Sequence, residues 1–184
     1  MRQLIATIVV AGLLAGCSTL RIDAPAEPRA LDPLRDDVAG LTFALDLPRG
    51  IAPAETGPTL SLDVVVPGKG EQHVAAVLVR ADDDSAVSAL PAPATGRAYY
   101  LFALAEADRA MVRAALIWAR GQAARSSDAK LSLVPRLCQS ADAPRGTLLG
   151  SALVAMPGGG PLLPLVDRAP VSALAGGGPL PPCR

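Results

Sequence analysis

The chain has 184 residues with 17 basic against 17 acidic side chains, 51% hydrophobic residues and 3% aromatics, enough for one ordinary domain. Zero net charge argues against nucleic acid or an anionic bilayer as the main partner, because a surplus of Lys and Arg holds both. Two Tyr, two Phe and one Trp leave little for stacking on bases or sugars.

Residues 1–16 depart from everything after them. Met1-Arg2-Gln3 carries one positive charge, and Leu4 to Ala15 is an uncharged apolar run ending in small residues. Charge and length together read as a secretory signal; the run falls short of the ~20 residues a spanning helix needs. Leu14-Ala15-Gly16-Cys17 then resembles the lipobox of bacterial lipoproteins at all four positions. The resemblance implies a diacylglyceryl group on the Cys17 thiol and cleavage that leaves Cys17 as the acylated first residue. Ser18, by the sorting pattern of Gram-negative lipoproteins, implies the outer membrane, facing the periplasm. An ordinary secretory signal containing a cysteine is the plainer alternative. No family resemblance extends over residues 18–184.

Residues 17–39 read as a lipidated N-terminus and tether, with Pro25, Pro28 and Pro33 among alternating charges. Extended at ~3.1 Å per residue, such a tether spans about 70 Å. A second reading has Leu31, Leu34 and Val38, spaced three and four apart, forming a short helix docked on the domain. Residues 40–184 are expected to form a single β-rich domain.

In Leu41 to Leu47 the odd positions are large and apolar and the even ones small or polar, the pattern of a strand with one buried face. Leu60, Leu62, Val64 and Val66 repeat it, and Pro67-Gly68-Lys69-Gly70 is a turn by composition. Gln72 to Arg80, apolar on both parities, reads as a strand covered on both faces, and these three strands are expected to form an antiparallel meander. Arg97 to Leu104 is the next strand, with Tyr99 and Tyr100 on opposite faces. Glu106 to Ala124 is the one convincing helix, with Glu106 and Asp108 in a first turn that suits its dipole. Further strands are expected at Lys130 to Cys138 and Thr147 to Met156, with weaker ones at Leu162 to Val166 and Val171 to Leu174. The expected fold is mainly β: a β-sandwich, immunoglobulin-like or related, with one amphipathic helix. The alternative is α+β, with the helix packed on one antiparallel sheet.

Three cysteines are an odd number for an exported protein. With Cys17 acylated, Cys138 and Cys183 are left to pair in an oxidising periplasm. Two distant cysteines and one distant histidine are a poor metal-ligand set, and no cofactor is implied. His73, the one histidine, lacks a nucleophile motif around it; Glu71, two positions away on the same strand face, is its nearest acidic neighbour. Asp82-Asp83-Asp84 fails the EF-hand spacing and reads as a solvated turn. Gly158-Gly159-Gly160-Pro161 recurs as Gly176-Gly177-Gly178-Pro179, and neither loop leads into a Lys-Ser or Lys-Thr phosphate motif.

On the helix, Ala107, Ala110, Met111, Ala114, Ala115, Ile117 and Trp118 fall on one apolar arc that is expected to pack inward. Arg109, Arg113 and Arg120 fall opposite, flanked by Val112 and Leu116, and form the candidate partner-binding face. The functional expectation is a membrane-anchored periplasmic lipoprotein, non-catalytic, acting as a protein-binding scaffold or accessory subunit of an envelope assembly. The alternative is a binding module or carrier for an apolar or lipidic small molecule, with the helix as a lid.

Overall fold

The computed structural model describes residues 31–81, 90–121, 128–157 and 162–183. The signal and lipobox with Cys17, the tether up to residue 30, the Asp82 to Asp84 run, helical positions beyond Gly121 and the Gly158 to Gly160 loop lie outside the described residues.

The fold is mainly β. Among the described residues the strands are β1 (Thr42–Pro48), β2 (Ile51–Pro53), β3 (Thr59–Val66), β4 (Gly70–Arg80), β5 (Arg97–Leu104), β6 (Asp128–Val134), β7 (Leu137–Gln139), β8 (Leu149–Ala155) and β9 (Leu163–Pro170). Helix α1 (Glu106–Gly121) follows β5, and a single turn of helix, α2 (Val171–Leu174), follows β9. Seven strands form one curled antiparallel sheet in the order β6-β3-β4-β5-β1-β8-β9, and β2 pairs with β7 in a second, small sheet.

The alternation in β1 and β3 does what period two requires. Phe43, Leu45 and Leu47, with Leu60, Leu62, Val64 and Val66, all enter one core. The expected meander holds only for β3 and β4. Strand β1 lies instead between β5 and β8, with Phe43 opposite both Phe102 and Val154. Its outward side is also covered: Ala44 is fully buried in a second small cluster with Leu101. A strand's period reports its buried face and is silent about its neighbour, so register had to come from the fold.

Strand β4 makes the sheet curl. Gly70 to Val77 pair with β3, whereas Leu78 to Arg80 pair with β5, so one strand serves two leaves. At the changeover the Leu78 N–H donates to the Pro58 carbonyl at 2.8 Å. Gly57 approaches so closely there that a Cβ would sit 2.6 Å from the Leu78 oxygen, and its φ of +69° is one that L side chains resist.

The segment expected as one strand from Lys130 to Cys138 is two. Pro135 has no N–H to give a ladder, and the Arg136 carbonyl accepts instead from the Ala54 N–H at 2.7 Å, steering β7 onto β2. Cys138 and Cys183 form a disulfide with Cα atoms 4.9 Å apart. It secures a short parallel segment: Gln139 N–H donates to Pro181 and Cys183 N–H to Gln139. Val171 to Leu174, expected as a weak strand, is helical; Val171 and Leu174 bury together, as a four-residue turn permits.

Residues 31–39, read from the sequence as part of the tether, pack on the folded body. Leu31 and Leu34 pack on the core and Val38 is fully buried. The docked segment is a strap of turns ending in a short 3-10 helix at Val38–Gly40; the helix of the second reading is present at Val38 and does not extend back to Leu31 and Leu34.

Candidate functional site

Helix α1 lies on β3, β4 and the strap, and Val112, Ala115, Leu116 and Ala119 face the core. The expected packing arc was rotated. Val112 and Leu116 do not flank an exposed face; they are the largest side chains the helix buries, and Ala115 and Ala119 beside them let it approach the sheet closely. An alanine-rich helix has a diffuse apolar arc, so two branched residues decided its orientation. Left outside are Ala107, Ala110, Met111, Ala114 and Ile117, with Met111 45% and Ile117 66% exposed. Trp118, half-buried, packs at the border between the two faces.

The arginine stripe is largely engaged with the chain itself. Arg109 donates to the Leu104 carbonyl at 2.9 Å and pairs with Glu106 at 3.4 Å, tying the first turn of α1 to the end of β5. Arg120 donates to the Leu34 and Asp36 carbonyls at 2.5 and 3.1 Å, holding the strap. Arg113 reaches Asp37 at 3.9 Å. Between strap and helix lies an open cleft of about 280 Å³ lined by Arg35, Asp37, Arg113, Leu116, Ile117 and Arg120.

The opposite face of the β3–β4 leaf points away from α1. On it Asp63 lies across from His73, whose Nδ1 is 2.5 Å from the Asp63 carboxylate, and across from Lys130 on the other side. The partner of His73 is therefore Asp63 on the neighbouring strand and not Glu71. Directly opposed positions in an antiparallel pair approach more closely than i, i+2 neighbours along one strand. Further along the same face Val77 and Val79 stand in solvent, Val77 51% exposed. One end of the face is thus charged and the other apolar.

A second polar group spans β5, β1, β8 and β9. Arg97 donates from Nε to the Asp46 carboxylate at 2.8 Å, from Nη1 to the Leu149 carbonyl at 2.9 Å and from Nη2 to the Asp46 carbonyl at 3.0 Å. Burial, followed by the Asp46 charge, raises the Tyr99 phenol above its ordinary pKa, and Arg97 partly opposes this. Beside it, Asp167 and Arg168 bulge opposite Ser151. The Ser151 hydroxyl donates to Asp167 and accepts from the Arg168 N–H, where φ is +50°. Arg97 faces Asp46 and Ser151 faces Asp167 across neighbouring strands, which makes the array a clamp across the sheet.

Two further open clefts, of about 400 and 370 Å³, lie beside the disulfide and beside α2. The glycine loop at Gly176 to Gly178 closes α2: Gly177 N–H donates to the Ser172 carbonyl at 2.7 Å, with both Gly176 and Gly177 at positive φ. Among the described residues no group of three or more His, Cys, Asp or Glu is placed to hold a metal ion, and no helix is long and apolar enough to cross a membrane. Sequence reasoning missed the Arg97–Asp46 clamp, although Asp46 on the outward side of an apolar strand was a signal for it. It also missed the solvent-facing Ile117, for which the sequence held no signal beyond helical phase. Comparisons with known family models, with curated proteins and with solved structures find no match to this chain.

Proposed function

We propose that this chain is a lipid-anchored envelope protein, non-catalytic, held through an acylated Cys17 at the periplasmic face of the outer membrane, and that its β domain binds a protein partner. The two leaves that share β4 act in this reading as a sandwich-like frame with a common corner strand. The observation that carries it is the outward face of β4, where Val77 and Val79 are solvent-exposed beside the charged row of His73, Asp63 and Lys130. An apolar centre with a polar border is the anatomy of a protein contact. The partner it fits presents an apolar surface edged by complementary charge. The carrier reading is less well supported, because the space between α1 and the sheet is filled by Val112, Leu116, Leu60, Leu62 and their neighbours.

The test is a photo-reactive residue in place of Val77 in the full-length protein in native membranes, with the same residue at Lys69 as control. A discrete protein adduct at position 77, lost in Val79→Asp and absent at position 69, is expected. Equal labelling at both positions, or an adduct with the mass of a small molecule, refutes the protein-partner reading.

A further inference from the structure

We propose that the outward face of α1 lies on the surface of the bilayer that holds the lipid anchor. Met111 and Ile117 would enter the headgroup boundary, and Arg35 and Arg113 would meet lipid phosphates. The proposal goes beyond a partner-binding domain and rests on the anchored reading of Cys17.

Three observations converge. The first is the face itself. Between Glu106 at its start and the exposed Arg113 and Arg120 along one border, the solvent side of α1 offers Ala107, Ala110, Met111, Ala114 and Ile117, where a surface helix ordinarily carries more charge. A helix apolar on its outer side and bordered by arginines suits an interface between water and acyl chains.

The second is charge. Arg35, Arg113 and Arg120 surround Ile117 in the strap cleft, facing Asp32 and Asp37. With Asp36 in the same strap, three guanidiniums stand against three carboxylates, so the edge is balanced in charge and offers individual guanidinium forks. Guanidinium is suited to phosphate, which it can grip with paired N–H groups. Zero net charge on the whole chain gives no long-range capture. None is required where the anchor supplies attachment and the face only sets orientation.

The third is where the chain arrives. Arg120 fixes Leu34 and Asp36 against the last turns of α1, so the strap, the first described segment of the chain, lies along this helix. Leu31 stands 14 positions after Cys17, a reach of about 45 Å at ~3.1–3.3 Å per residue. The anchor therefore keeps α1 within a short distance of the bilayer, and at such effective concentration a weak contact suffices. On the far side of the same leaf Val77 and Val79 point away from the membrane and remain open to a partner.

The single tryptophan makes the test direct, since Trp118 borders this face. Full-length acylated protein is reconstituted in vesicles of phosphatidylcholine and phosphatidylglycerol, with and without headgroup-nitroxide lipid. Trp118 emission should fall by about half with the nitroxide lipid, and acrylamide quenching should drop on vesicle binding. Ile117→Glu with Arg35→Glu should abolish both effects while cosedimentation and the thermal midpoint stay unchanged. Cosedimenting wild-type protein with no nitroxide quenching overturns the proposal and leaves the anchor intact. Trp118 protection in native membranes but not in pure lipid also overturns it and assigns the face to a protein. Failure to cosediment at all overturns the anchored reading, and this proposal with it.

Discussion

Arg97 shows how one side chain can hold three strands. Its guanidinium reaches the Asp46 carboxylate, the Asp46 carbonyl and the Leu149 carbonyl, and both ionic partners are mostly shielded from water. A lysine cannot reproduce three directed contacts from a planar fork. Arg97→Lys is expected to cost about 1.5–3 kcal/mol, the range for hydrogen bonds to charged groups; a urea midpoint equal to wild type would refute the clamp. Tyr99, next to this pair, has its phenol pKa raised, first by burial and then by Asp46. The folded state therefore holds the phenolic proton more tightly than the unfolded chain. That stabilisation is complete below the ordinary tyrosine pKa of ~10 and is lost as pH rises through the folded value. As pH rises above the ordinary tyrosine pKa of ~10, the thermal midpoint of the wild type should fall more steeply than that of Tyr99→Phe. Parallel curves would show that Tyr99 does not contribute to the alkaline loss.

At the scale of elements, α1 turns on two adjacent residues with opposite fates. Leu116 is buried against β3, β4 and the strap, whereas Ile117 stands in solvent. Leu116→Ala should lower stability by about 2–5 kcal/mol, and Ile117→Ala should stay within about 0.5 kcal/mol of wild type. Equal losses from the two in denaturant melts would mean that the helix is rotated from the orientation described. This contrast marks the boundary of what periodicity reveals. The strands at Thr42–Pro48 and Thr59–Val66 were legible because period two leaves a single solution for which side is buried. The start of α1 was legible from Glu106 and Asp108. The buried arc was not, because five alanines carry almost no directional signal. Strand neighbours were hidden for a different reason: β1 and β5 meet across 49 or more positions of chain only through pairing set by the whole sheet. The disulfide was legible by counting, once Cys17 was assigned to lipid. Its crosslink spans 45 positions, for which chain entropy gives ~4 kcal/mol before strain. Cys183→Ser should release up to that amount and leave the Pro181 to Cys183 segment the first to exchange its amide hydrogens.

On the whole-molecule scale, the β3–β4 leaf separates two faces that do different work in this proposal. Helix α1 covers its core side and turns Met111 and Ile117 outward, and Val77 and Val79 occupy the other side. The two surfaces share no side chain, and substitutions at separated sites without common partners act almost independently. That independence gives the sharpest prediction for the molecule in its membrane. Ile117→Glu with Arg35→Glu should remove lipid quenching of Trp118 and leave the adduct at position 77 in place. Val79→Asp should do the reverse, erasing the adduct while Trp118 stays as close to lipid as in wild type. Cys17→Ser should abolish both by releasing the protein from the membrane where the lipid and the partner are concentrated. If either face variant lost both signals with an unchanged melting curve, the two faces would be parts of one binding surface, and the division of labour across the sheet would be wrong.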